Sequence, residues 1–74
     1  MNRVIINFKD GMFDDEELAV VRGSHMAWRY NREFPCHGII VHFKSKNKAV
    51  CTSTKPKGRM TFAVDDDGRL QRIK

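Results

Sequence analysis

The chain is poor in the devices that usually hold very small domains together. Its 74 residues contain two cysteines, Cys36 and Cys51. In the strand reading developed below, Cys51 points toward the core and Cys36 lies beyond a hairpin end, so a disulfide would require the chain to fold back on itself. Cys36, His37, His42 and Cys51 are residue types that zinc prefers, but their spacing lacks the paired arrangement of a zinc site. Neither a metal nor a cofactor is expected. No charged segment followed by a long apolar stretch opens the chain, and with so few cysteines reduced thiols in a cytoplasm are the expectation.

Long apolar runs are missing as well. Val4-Ile5-Ile6 and Ile39-Ile40-Val41 fall far short of the roughly 20 residues that cross a bilayer, so no membrane partner is expected. Aromatic residues make up only 9% of the chain, with one Trp and one Tyr. A chain this short buries only about 60% of its unfolded surface, and a core of that size supplies roughly 3–5 kcal/mol. Self-association into a homo-oligomer would supplement it.

Catalytic signatures are lacking too. Cys36 and His37 are adjacent, but neighbours in a strand point to opposite faces, and no third orienting group or oxyanion site accompanies them. Asp65-Asp66-Asp67 lacks the further ligands of a calcium loop and, with Gly68 behind it, reads as a tight turn. A non-enzymatic protein is expected.

What is present is short-period alternation. Arg3 to Phe8 reads as a strand apolar on both faces, which predicts an inner or doubly covered position. Asp14 as N-cap with Glu17 three residues on, and Gly23 as terminator, predict one short helix near residues 14–22. Met26, Trp28 and Tyr30 alternate with Ala27, Arg29 and Asn31, the pattern of a half-buried strand, until Pro35 interrupts it. Gly38 to Lys44 and Lys48 to Thr54 flank Ser45-Lys46-Asn47 as a hairpin. Centring its turn on Lys46 pairs Val41 with Cys51, Phe43 with Ala49 and Ile39 with Ser53 on the core side. Ile40, His42 and Lys44 then oppose Thr52, Val50 and Lys48 on the other.

Lys55 to Gly58 is a loop, Met60, Phe62 and Val64 mark a further strand, and Arg69 to Ile73 returns alongside it. The predicted fold is mainly β to α+β. It is a small antiparallel meander or partly closed barrel of five to six short strands with one short helix, forming a single domain over residues 1–74. An open α+β sheet is the alternative.

Charge is unevenly placed. Residues 1–25 hold Arg3, Lys9 and Arg22 against five acids, whereas residues 26–74 hold eleven Lys or Arg against Glu33, Asp65, Asp66 and Asp67, giving +5 overall. From Lys44 to Arg59 the chain carries Lys44, Lys46, Lys48, Lys55, Lys57 and Arg59 without one acidic residue. Folded as a hairpin and loops, these cations would cluster as a phosphate-binding surface, with Ser45, Asn47, Ser53 and Thr54 adding neutral hydrogen bonds. Trp28, Tyr30 and His42 would serve as base-stacking groups if they faced outward beside the lysines. The competing explanation is that lysines solvate loops and protect strand edges, and that alternating aromatics fill a core.

No helix-turn-helix pattern is present, so RNA or single-stranded DNA is the expected nucleic acid. A regulator of phage or mobile-element type that docks on and inhibits an acidic host protein is the first alternative.

Arg22-Gly23-Ser24-His25-Met26 has the form of a cloning remnant, although such remnants normally sit at a terminus, and an accidental match is expected. The overlapping stretch Val21-Arg22-Gly23-Ser24-His25 resembles the Gly-Ser-His segment of HicA-type ribonuclease toxins over about ten residues. That resemblance implies a small basic fold in which a helix leads into a strand bearing the histidine, with His25 serving in RNA cleavage. The family's closing helix has no counterpart in Leu70-Gln71-Arg72-Ile73-Lys74. A small ribonuclease using His25 is the second alternative.

Overall fold

Apolar and polar residues alternate from Gly38 to Val64, and a strand puts such alternate side chains on opposite faces. The computed structural model, which describes residues 3–73, turns that pattern into consecutive antiparallel strands. The element order is β1 (Arg3–Asn7), α1 (Glu16–Glu33), β2 (Gly38–Ser45), β3 (Lys48–Thr54), β4 (Lys57–Val64) and β5 (Leu70–Arg72). The five strands form one mixed sheet in the order β1-β2-β3-β4-β5, and it is not closed into a barrel. The result is a small α+β fold, mostly strand with one helix.

The C-terminal half is the predicted meander. Val41 pairs with Cys51, Phe43 with Ala49, Ile40 with Thr52 and His42 with Val50, as the turn position required. The expected Lys44–Lys48 pair does not form. The register slips between Phe43 and Ser45, so that Ser45 stands opposite Lys48. An extra residue on one strand relieves what would have been a direct lysine–lysine pair.

Two expectations for the N-terminal half are overturned. β1 is an edge strand, not an inner one, and it pairs in parallel with β2. The helix between the two strands accounts for this, because a crossover that packs on one face of a sheet returns the chain in the same direction. The helix is also twice as long as predicted. Asp15, not Asp14, is its N-cap, accepting from Glu17 N at 2.9 Å, and it runs on through Gly23 to Glu33. The predicted strand around Met26, Trp28 and Tyr30 is therefore helix.

Its buried residues, Ala19, Gly23, Met26, Ala27 and Tyr30, recur at the helical period along one stripe. Gly23, expected to end the helix, lies inside it where β1 passes closely: a Cβ there would lie 2.8 Å from Ile6 Cδ1. The segment from Arg22 to Met26 is built into the fold, with Met26 fully buried.

α1 packs across β1, β2 and β3. Its stripe meets Ile39, Val41, Phe43, Ala49, Cys51, Met60 and Phe62 in a single core. Phe13, ahead of the helix, closes one end by stacking edge-on against Phe8 at 5.4 Å and Phe43 at 5.0 Å. At the other end the Tyr30 hydroxyl lies 2.7 Å from Ser53 Oγ, which itself donates to the Pro56 carbonyl at 2.8 Å, so Tyr30 is the donor to Ser53. Asp65 organises the β4–β5 turn: Oδ1 accepts from Asp67 N and Arg69 N, and Oδ2 accepts from Gln71 Nε2. Among the described residues no helix is long and apolar enough to cross a membrane.

Candidate nucleic-acid interface

One helix covers one face of the sheet, and the alternate side chains of every strand are left on the other. Pairing places Ile5 beside Ile40, Asn7 beside His42 and Arg3 beside Gly38. It also places Thr52 beside Arg59, Val50 beside Thr61 and Thr54 beside Lys57. Lys44, Lys48, Val50, Arg59, Thr61 and Ile73 line one shallow depression on this side. Val50 and Thr61 are buried although no second layer covers them. Lys44, Lys48, Arg59 and Ile73 surround them, and long cationic side chains cover apolar surface with their stems while keeping the charged ends in water.

Every charged side chain that the strands place on this open face is basic. Arg3, Lys44, Lys48, Lys57 and Arg59 share it with His42, and every acidic residue lies outside the strands. The acids are occupied or placed elsewhere. Asp15 caps α1 and Glu16 and Glu17 occupy its first turn. Asp14 lies 3.7 Å from Lys46 Nζ, and Glu33 pairs with Arg29 at 3.3 Å and Arg72 at 3.4 Å. Cations on one surface repel in the absence of a counter-charge, and a polyanion laid across them removes that repulsion while releasing its own condensed ions.

The sequence-selected residues divide among five places. His42, Lys44, Lys48, Lys57 and Arg59 come together on the open face. Lys46 sits in the β2–β3 turn facing Asp14, and Lys55 in the β3–β4 turn, where its carbonyl accepts from His37 N at 3.0 Å. Trp28 is on the outer side of α1, in the opposite layer, half exposed beside His25 and beneath the Arg32 guanidinium at 5.4 Å. Tyr30 is wholly buried and has no ring face to offer. The stacking role expected of these two fails for one reason: at helical spacing Met26 and Tyr30 share the core stripe and Trp28 points away from it.

Among the neutral groups, Ser53 is buried, Asn47 Oδ1 accepts from Arg22 and Ser45 Oγ accepts from Asn47 N at 3.3 Å, which leaves Thr54 exposed on the face. Sequence reasoning missed Arg3, which reaches the face only through the parallel pairing of β1. It also missed Arg22, whose Nη1 donates to the Lys46 carbonyl at 2.8 Å and ties the β2–β3 turn to the helix.

Burial pushes the Cys51 thiol up to about 12, far from the thiolate a nucleophile needs. Burial likewise raises the Tyr30 hydroxyl, against the opposing hydrogen bond with Ser53. Cys36 and Cys51 are both buried and not joined in a disulfide. Among the described residues no three His, Cys, Asp or Glu side chains gather to hold a metal ion. His25 lies within α1 and not on the strand that the toxin resemblance implied. Comparison with protein-family models, curated proteins and solved structures finds no match to this chain.

Proposed function

We propose that this chain is a small nucleic-acid-binding module that grips phosphates through the open face of its sheet. The observation that carries the proposal is an uncovered face on which Arg3, Lys44, Lys48, Lys57 and Arg59 gather and to which the strands contribute no acidic residue. Among the described residues His42 is the one ring on this face, so affinity comes from phosphate contacts and depends little on base sequence. RNA or single-stranded DNA, whose backbone can follow a twisted sheet, is the intended ligand. Its buried thiols suit a reducing cytoplasm, and its role is binding without catalysis.

Fluorescence anisotropy of labelled single-stranded RNA and DNA, titrated with the protein at several salt concentrations, tests this. Four phosphates engaged would give a log–log salt slope of about −3, hence roughly a 50-fold loss of affinity from 50 to 200 mM salt. Lys48→Gln and Arg59→Gln are each expected to reduce the slope by about 0.7. Absence of binding at low salt, or unchanged affinity in the double variant, refutes the assignment.

A second reading, docking on an acidic protein through the same face, is favoured by the exposure of Ile5 (41%) and Ile40 (40%) side by side on it. Apolar centres ringed by charge are typical of protein interfaces. Partners recovered by pull-down that persist after nuclease treatment would support that reading over the first.

A further inference from the structure

The face of α1 turned away from the sheet carries an unbroken stripe of exposed residues: Glu17, Val21, Ser24, His25, Trp28 and Arg32. Spacings of three and four keep them on one side of the helix, opposite Ala19, Gly23, Ala27 and Tyr30. Val21 is 59% exposed and Trp28 50%, large apolar surface for the outer side of a helix. The stripe is acidic where the helix begins, at Glu17, and basic at Arg32 in its last turn. Trp28 is already ordered, lying against the His25 ring at 6.4 Å between centroids and under Arg32 at 5.4 Å.

This arrangement is complementary to itself. In an antiparallel pair of such helices related by a twofold axis between Ser24 and His25, Glu17 of one copy meets Arg32 of the other, twice. Val21 meets Trp28, twice, and Ser24 meets His25 at the centre. A twofold interface has to be self-complementary in this way. The open face of the sheet has the opposite property, since a second copy laid on it would bring like charges together. We propose that the outer face of α1 is a homodimer interface, with two copies packed antiparallel through Val21 and Trp28 and held in register by Glu17–Arg32 pairs.

The contact is small. A helix of 18 residues is about 27 Å long. A single pair of such helices buries less than the ~1,200 Å² of ordinary stable complexes, so the dimer forms in the micromolar range and dissociates on dilution. The two sheets lie on opposite outer sides of this dimer, with both basic faces free.

Sedimentation velocity from about 5 to 500 µM, a range suited to a contact of this size, is the test, with emission of Trp28, the single tryptophan, followed in parallel. The expected result is a monomer–dimer equilibrium with a blue shift of emission as concentration rises, abolished by Val21→Glu. Glu17→Lys and Arg32→Glu should each weaken self-association at least tenfold, since each places like charges at both ends. An equimolar mixture of the two should form a heterodimer, because every pair across that interface is again opposite in charge. A monomer at all concentrations, or a dimer unaffected by Val21→Glu, overturns the proposal. So do two charge variants that self-associate like the parent or fail to combine on mixing. The charge variants alter exposed positions only, and far-UV circular dichroism verifies that they are folded.

Discussion

Replacing Gly23 by alanine sets two effects of known sign against each other. In a helix interior alanine is favoured over glycine by about 1 kcal/mol. Against this, the new Cβ would lie 2.8 Å from Ile6 Cδ1 and 3.0 Å from both Cγ1 and Cγ2, whereas apolar carbons rest at roughly 3.5–4.0 Å. Cδ1 is the free end of the side chain and can swing aside. The two γ carbons cannot both retreat, because they branch from one Cβ and a rotation that withdraws one brings the other round.

Relief therefore requires β1 or α1 to shift, at a cost of about 1–3 kcal/mol for an overpacked contact. The clash wins by about 1 kcal/mol, which for a domain of this size lowers Tm by roughly 4–8 °C. In an Ile6→Ala background the obstruction is gone and the same substitution should stabilise by about 0.5–1 kcal/mol. Urea titrations of the four proteins, followed by circular dichroism and by Trp28 emission, measure the cycle. The reasoning fails if Gly23→Ala stabilises the parent, or if its effect is the same in both backgrounds.

Gly58→Ala should be costlier, by about 2–3 kcal/mol, because its Cβ would lie 2.5 Å from Phe34 Cε2 and 2.6 Å from the Tyr30 hydroxyl, within an edge-on ring pair; thermal melts and the near-ultraviolet tyrosine signal report it. Cys51 makes stability fall with alkalinity. The unfolded thiol ionises near its ordinary 9.0 and the folded one near 12, so the stabilisation is intact below pH 9 and declines by up to about 1.4 kcal/mol per pH unit above it. Denaturation at pH 8.5 and 10.5 should show this slope in the parent and a shallower one in Cys51→Ala. Asp65→Ala removes an acceptor for two backbone N–H groups and the Gln71 amide. It is expected to cost about 1–2 kcal/mol and to speed amide exchange in β5 ahead of the rest of the sheet.

Local signals carried the C-terminal half. The alternation through Ile39, Val41 and Phe43, the turn at Ser45 to Asn47 and the Asp65–Gly68 turn each specify neighbours only a few residues away. The bulge at Ser45 was not legible, since it depends on how the chain avoids a lysine pair that alternation alone would create. Met26, Trp28 and Tyr30 were ambiguous because a five-residue window satisfies both periods. The decisive signal was a longer one, the small residues Ala19, Gly23 and Ala27 at every fourth position, which mark a helix pressed close to a sheet.

The place of β1 could not be read locally at all, because its partner depends on where that helix delivers the chain. The candidate site divides along the same line. Lys44 and Lys48 follow from alternation within their own strands, and Lys57, expected in a loop, joins Arg59 on the face because β4 already begins at Lys57, whereas Arg3, Trp28 and Tyr30 take their positions from the helix and the parallel pairing it brings.

The bond from Arg22 to the Lys46 carbonyl links a helix residue to the turn between two lysine-bearing strands. Hairpin tips usually sample many shapes and must give up that freedom when a ligand is gripped. Here the tip is tethered from the far layer, so Lys44 and Lys48 already flank a turn of fixed shape. The conformational entropy that a loose tip would surrender on binding has been given up once, during folding.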